Sequence, residues 1–256
     1  MGHSIVPEAE AILDQSFPVL DKGFIRLVDY NGSDSRIVQA ARVSYGNGTK
    51  TMREDAKLID YLLKHEHMSP FEMVNFTFHL KLPIFVFRQM VRHRTARLNE
   101  ISGRYSVLED EFYVPNPGDI RSQDTVNKQG RSEEMLPDAL FQCADFHDEQ
   151  IRDYAEYKQR VDAGMARELA RINLPVSLYT QLYWNIDLRN LFNFLKLRLD
   201  VHAQYEIREY ARVLMDLVQK VSPMAFASFE EHILYAIKLS RSEVLAVEGN
   251  FKIEEK

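Results

Sequence analysis

Arg92, His93 and Arg94 stand in a row, and Glu100, Ser102 and Arg104 follow within a dozen residues, in the stretch RHRTARLNEISGRY. Together these residues supply permanently charged planar donors, an imidazole that titrates near neutrality, a carboxylate and a Ser-Gly pair. A Gly-containing turn can aim successive backbone N–H groups at an anion, and Arg104 adds a two-pronged donor suited to phosphate. The chemistry indicated is recognition of a small anionic ligand. A solvated basic helix end followed by a loop would account for the same residues one at a time; their density favours a site.

Three other segments carry polar groups in suggestive spacing. In DLRNLFNFLKLRLDVHAQYE (187–206), Leu188, Leu191, Phe192, Leu195 and Leu199 form an apolar stripe that reads as core. Arg189 and Asn193 are four apart, as are Arg198 and His202, so each pair is adjacent if the helix is continuous. An exposed helix face explains these residues about as well as a ligand does. In HEHMSPFEM, His65, His67 and Glu72 have metal-binding side chains, but no third or fourth ligand stands at a diagnostic spacing, so no metal is expected. In MARELARINLP, Arg167 and Arg171 are four apart and Pro175 stops the helix, which lets Arg171 reach a cleft or simply meet solvent. No glycine-rich dinucleotide or phosphate-loop motif is present.

The elements that must hold these groups are legible in outline. FIRLVDY (24–30) alternates as a strand, and SDSRIVQAARVS reads as a helix capped by Ser or Asp. A loop follows around 47–49. REDAKLIDYLLKHEH is an amphipathic helix with Leu58, Tyr61, Leu62 and His65 on one side, and SPFE has the pattern of a capping box. VNFTFHLKL (74–82) is the clearest strand, with Val74, Phe76, Phe78, Leu80 and Leu82 facing one way. IFVFRQMVRH is a helix that delivers the arginine-rich stretch. EFYVPNP reads as a short strand, and 117–135 as a polar, mobile excursion. A long helix then runs to Gly164, followed by MARELARINLP as a second helix, VSLYTQLYWNI as a strand, and three more helices, the last two at 201–219 and 224–238. The pattern is that of one α+β domain, with a central mixed or antiparallel sheet flanked by helices and a helical C-terminal half. Residues 1–20 are set apart as an N-terminal extension, with the domain spanning 21–256.

The chain has 256 residues and a formal net charge of -6. Overall acidity argues against a general nucleic-acid binder, which needs a basic face. No apolar run is long enough to span a membrane, and the N-terminus does not read as a signal peptide. Cys143 is the sole cysteine, so no internal disulfide forms and a cytoplasmic setting fits. Its neighbours have a helical pattern, and it is expected to pack as a small apolar residue.

The arginine-rich stretch resembles the signature of the flavin-dependent thymidylate synthases: Arg92, His93 and Arg94, then seven residues, Ser102 and the basic Arg104. AARVS, HEHMSPFE, TFHLKLPIFVFRQMVRHR, ARELARINLP and NLFNFLKLRLDVHAQYEIR are similar to segments of that family, in its order, over most of residues 20–220. The resemblance implies a homotetramer whose active sites are shared between subunits. It implies bound FAD, recharged by NADPH, and conversion of dUMP to dTMP with methylenetetrahydrofolate as carbon donor. By position, Ser44, His67, Ser69, Glu72, Arg92, His93, Arg94, Glu100, Asp187, Arg189, Asn193 and His202 would contact the flavin or line its pocket. Gln89, Arg92, Glu100, Ile101, Ser102, Gly103, Arg104, Arg171 and Arg198 would hold dUMP. Arg198 would be catalytic: with the only cysteine outside these segments, a guanidinium must stabilise the negative charge that builds on the pyrimidine. Two residues depart from the family pattern. Arg97 stands where a small hydroxyl residue is usual, and Asp187 where Asn is common. A nucleotide-binding protein without turnover is the alternative that such departures would suit.

Overall fold

Alternation of apolar and polar residues builds the sheet that everything else leans on. In a computed structural model of the chain, residues 5–45 and 52–248 are described. The strands are β1 (Ser16–Val19), β2 (Gly23–Asn31), β3 (Asn75–Pro83), β4 (Arg97–Glu100), β5 (Arg121–Gln123), β6 (Arg131–Met135) and β7 (Tyr179–Asp187). The helices are α1 (Pro7–Glu10), α2 (Asp34–Ala41), α3 (Met52–Lys64), α4 (Ile84–Met90), α5 (Ala139–Asp162), α6 (Arg167–Ala170), α7 (Leu188–Arg198), α8 (Tyr205–Val221), α9 (Pro223–Phe229) and α10 (Arg241–Glu248). Five strands form one sheet in the order β1-β2-β3-β7-β4, and every pairing is antiparallel. The fold is α+β, as the sequence indicates.

On the inner face of the sheet, Phe76, Phe78, Leu80 and Leu82 of β3 lie beside Leu182, Trp184 and Ile186 of β7, all buried. The α7 stripe, Leu188, Leu191, Phe192 and Leu195, and the inner face of α8 close this core. Two layers of interdigitated side chains supply the main driving force for folding. The outer face stays polar and partly wet, as one face of an antiparallel sheet can. His79 stacks on Tyr183 with ring centroids 4.8 Å apart, and its Nδ1 accepts from Arg26 at 3.0 Å. Its Nε2 therefore carries the proton donated to Gln181 Oε1, also at 3.0 Å.

One local expectation is met for an identifiable reason, and one helix cap is new. Gly164, with φ +85, ends α5: its N–H reaches the Val161 carbonyl and that of Met165 reaches Arg160, a Schellman closure that favours glycine. Asp187 caps α7, its Oδ1 accepting from Asn190 N at 3.0 Å and its Oδ2 from Asn190 Nδ2 at 2.7 Å.

Others are corrected. EFYVPNP forms no strand, only an isolated bridge between Phe112 and Leu178. The core face of α3 is Ile59, Leu62 and Leu63; Tyr61 is exposed and packs on His65 and His67 instead. SPFE makes a short helical turn, Ser69–Met73, but no capping box, because the Glu72 carboxylate is taken by Arg189. Within 117–135 lies a hairpin, β5–β6, fastened to α8 by Arg131 on Glu206. Cys143 is half-buried and gives its thiol to the Pro115 carbonyl. Residues 7–19, part of the segment set apart as an extension, supply β1 and the core side chains Ala9, Ile12 and Val19. The loop expected around 47–49 lies outside the described residues.

Candidate functional site

The predicted site residues fall into three clusters. The first is at the end of α4 and the end of α7. Helix α4 stops at Met90, and the chain turns so that His93 faces α7. Arg198 Nε donates to His93 Nε2 at 3.0 Å, and Arg198 Nη2 donates to the Gln89 carbonyl at 3.0 Å. A guanidinium cannot accept, so His93 Nε2 must be the acceptor and Nδ1 must carry the proton. Burial and the adjacent Arg198 charge lower the His93 pKa to about 4, so the ring is neutral. Burial also lowers the Arg198 pKa. Phe194 packs edge-on against His93 with centroids 4.8 Å apart. Gln89 is held in turn, its Nε2 donating to Gln204 Oε1 at 2.5 Å. The result is a half-buried cation whose orientation is fixed by two neighbouring groups, the His93 ring and the Gln89 carbonyl.

The second cluster surrounds the Ser102–Arg104 turn. Strand β4, not legible in the sequence, pairs Glu100 with Leu182 of β7 and leads into the turn. The Thr180 hydroxyl, on the otherwise apolar inner side of β7, donates to Glu100 Oε1 at 2.7 Å. Gly103 is buried so closely against Arg171 that a Cβ there would sit 3.0 Å from Arg171 Cδ and Leu108 Cδ1. A side chain there would make the Arg171 and Leu108 side chains give way by a few tenths of an ångström. Arg104 is exposed and pairs with Glu168 at 3.3 Å, while Arg167 Nη1 donates to the Tyr105 carbonyl at 3.1 Å. Ile101 is exposed beside this turn. Arg104, Arg167 and Arg171 thus gather around one glycine turn, a set suited to a phosphate.

The third cluster lines a cavity of about 730 Å³ between α3, the Ser69–Met73 turn and α7. Arg189 and Asn193 stand one turn apart on α7, and Arg189 is paired with Glu72. Lys196 and Lys238 add positive charge to the same walls. Arg92 and Arg94 are exposed, and among the described residues neither has a carboxylate partner. Ser69 opens onto a separate shallow cavity with Arg36 and Gln39. His67 is exposed beside Tyr61. Ser44 lies in the helical turn Arg42–Tyr45, and its side chain is outside the described residues.

Not every expected pairing forms. Helix α7 ends at Arg198, so His202 is not stacked beside it; His202 turns to Asp200 at 2.7 Å. Within one chain, the cavity holding Arg189 and Asn193 includes neither Arg198 nor Arg104 in its walls. Among the described residues no group of three or more His, Cys, Asp or Glu is placed to hold a metal. Two residues outside the predicted set prove to be supports. Thr180 had a signal: a hydroxyl among inward apolar residues needs a buried partner. Gln204 had none, since its contact joins residues 115 apart in sequence. The two departures find local roles. Arg97 lies on the outer sheet face and donates to Asn185 Oδ1 at 3.2 Å, and Asp187 is the helix cap described above.

An antiparallel α+β sheet carrying a glycine turn ringed by arginines, beside an Arg–His pair and a polar cavity, defines a protein that handles an anionic nucleotide-like ligand. The family described as "Thymidylate synthase complementing protein" matches residues 26–224. The chain belongs to that family. It is 60% identical over 237 residues to a flavin-dependent thymidylate synthase of Treponema denticola, covering 92% of this chain and 89% of that one. It is 55% identical over 234 residues to a protein of that name from Thermus thermophilus, covering 91% of this chain and 85% of that one. Among solved structures, it is similar to a UMP/dUMP methylase, PolB from Streptomyces cacaoi, bound with 5-Br dUMP. The TM-score is 0.76 at 31% identity, covering 84% of this chain and 97% of that one.

Proposed function

We propose that this protein is a flavin-dependent thymidylate synthase, converting dUMP to dTMP with methylenetetrahydrofolate as carbon donor and NADPH as reductant. The observation that carries the reading is the Arg198 guanidinium, half-buried and aimed by neutral His93 and the Gln89 carbonyl. Such a cation stabilises negative charge growing on a pyrimidine ring without a covalent bond. Cys143, whose thiol is on the Pro115 carbonyl, belongs to none of the three clusters, which fits a reaction with no cysteine nucleophile.

The dUMP phosphate would be held by Arg104 and Arg171 at the Ser102–Gly103 turn, with Arg92, Gln89 and Ile101 beside the nucleotide. Glu100, fixed by the Thr180 hydroxyl, would accept a hydrogen bond at the border of nucleotide and flavin. The donor set of the third cluster suits a large anionic dinucleotide: Arg189, Asn193 and two lysines line its cavity, and Arg92 and Arg94 project as cations that have no carboxylate partner among the described residues. FAD would be held there with Ser44, His67, Glu72 and Asp187 around it, Asp187 by fixing the start of α7; Ser69 and His202, which line other cavities of the chain, would reach the flavin only in the assembled tetramer. FAD supplies hydride chemistry when bound. Arg198 and His93 meanwhile hold charge and orientation on the pyrimidine side.

The scatter of cations over separate surfaces of one chain supports a homotetramer in which neighbouring copies complete each site. Exposed apolar side chains near the glycine turn, including Tyr105, Leu169 and Ile172, fit such an interface. Among the described residues no helix is long and apolar enough to cross a membrane, and with one cysteine the chain suits the cytoplasm. The test is an absorbance spectrum of the purified protein with NADPH and dUMP, alongside tritium release from C5-labelled dUMP. Flavin absorbance that bleaches with NADPH, together with tritium release, is expected. A colourless protein that takes up no FAD would refute the reading.

A further inference from the structure

The β5–β6 hairpin belongs to none of the three clusters, yet it walls a polar cavity of about 580 Å³ against the turn joining α7 to α8. Arg131 fastens the hairpin there. It donates to the buried Glu206 carboxylate at 2.5 Å and to the Asp119 carbonyl at 2.7 Å, and lies 5.3 Å over the Tyr205 ring. Its charge is thereby matched. Arg121 and Arg208, in the same walls, differ. Arg121 Nε donates to the Gly118 carbonyl and Arg208 Nη1 to the Val201 carbonyl, and among the described residues neither forms an ion pair with a carboxylate. The buried Nε of Arg208 has no hydrogen-bond partner. The start of α8 opens here too, with Gln204 at its cap position making no capping bond, so the helix terminus adds positive potential.

We propose that this cavity receives the anionic distal end of a diffusible co-substrate whose reacting ring lies at the Arg198 cluster. Gln204 joins the two places: it lines the cavity and accepts from Gln89, whose carbonyl holds Arg198. This rests on the function proposed above. Two co-substrates of that reaction end in suitable groups, the phosphates of NADPH and the glutamate carboxylates of methylenetetrahydrofolate, and both meet guanidinium through charge-assisted hydrogen bonds.

The test uses the full-length protein with Arg121→Ala and Arg121→Glu, because Arg121 lies at the hairpin surface and holds only a carbonyl. Calorimetric titrations with NADP+, folyl triglutamate and dUMP read each site without turnover. One of the first two ligands should bind about tenfold more weakly to Arg121→Ala and more weakly still to Arg121→Glu, with dUMP unchanged. Weakening of NADP+ alone assigns the phosphates; weakening of triglutamate but not monoglutamate assigns the carboxylates. Affinities for both ligands within twofold of the native values overturn the proposal, as does a native protein that binds neither. A native protein that makes no dTMP, but whose variants lose NADP+ or triglutamate affinity, refutes the proposed reaction and leaves the anion site standing.

Discussion

The two ends of the candidate site hold their arginines in opposite ways. Arg198 is half-buried, and the chain itself orients it through His93 and Gln89. Arg104 is 59% exposed and, among the described residues, its side chain pairs only with Glu168, itself 54% exposed, in a pair that contributes little to stability. The first cation sits in a low-dielectric surrounding, where its field is strong and needs no rearrangement. The second is a loosely held charge, which under the proposed function would gain definition from a phosphate or a neighbouring subunit. Under the proposed function, one end would serve the charge that develops during reaction, the other the charge a ligand brings with it.

The largest effect should come from the buried end. Arg198→Ala is expected to lower the rate of dTMP formation by about 10²–10³-fold while flavin absorbance persists. Single-turnover rates and the visible spectrum check this, and retained turnover would remove Arg198 from the reaction. At the exposed end, Arg104→Ala should instead raise KM for dUMP about tenfold, with kcat little changed. Its loss should also flatten the salt dependence of dUMP binding, since an exposed charge is screened and a buried one much less so. Equal kcat losses for both variants would erase the contrast between the ends.

Titration offers a second way to probe the buried end. His93 has a folded pKa of about 4 against 6.5 when unfolded, so the unfolded chain binds the extra proton first. Its contribution to stability is present above pH 6.5 and lost as pH falls towards 4. Asp34 runs the other way. Its carboxylate accepts from Met224 N at 2.8 Å and Ala225 N at 3.0 Å, and burial raises its pKa from 3.8 to about 6. Its contribution is fully present below pH 3.8 and lost as pH rises through 6. The two partly cancel in the native protein. Thermal melts of His93→Asn should show a shallower fall in Tm between pH 6.5 and 4 than the native chain; an unchanged profile would mean that His93 is not held neutral.

The core was more legible in the sequence than the site. VNFTFHLKL and the α7 stripe announce their buried faces because burial imposes a period on the residues themselves. The first and third clusters depend on chain reversals that carry no such period. The Arg198–His93 contact spans 105 residues, and nothing local in RLDVHAQYE distinguishes Arg198, which reaches His93, from His202, which does not. Strand β4 was hidden for another reason. Arg97, Leu98, Asn99 and Glu100 are all exposed at the sheet edge, so no face of theirs alternates. The expected residue roles rest on the family resemblance, since spacing does not assign them, and the folded chain reveals the supports, Thr180 and Gln204, that the motif did not contain.

Those supports set a smaller prediction. Thr180→Val keeps the shape of the side chain and removes the donor to Glu100. The net value of such a bond, about 1 kcal/mol, corresponds to roughly a fivefold weakening of dUMP binding, with the sheet intact by circular dichroism. Thr180→Ser, which restores the hydroxyl, should recover most of it. Failure of serine to rescue would point to packing in place of the hydrogen bond.

The smallest effect is expected at Asp187, the cap of α7, where the resemblance leads one to expect Asn. Its Oδ1 takes the Asn190 N–H and its Oδ2 takes the Asn190 side-chain amide. Asn at 187 would keep the cap, because an amide oxygen accepts as a carboxylate oxygen does. It would lose the second bond unless Asn190 flips to offer its own oxygen. Asp187→Asn should therefore cost no more than about 0.5–1 kcal/mol in denaturant unfolding, and Asp187→Ala, which lacks any cap, about 1 kcal/mol or more. If Asp187 acts only by fixing the helix start, FAD affinity should follow stability in this order and change little in Asp187→Asn. A rise in FAD affinity in Asp187→Asn, with stability unchanged, would instead mean that residue 187 touches the flavin itself, and that the carboxylate weakens a contact an amide would make.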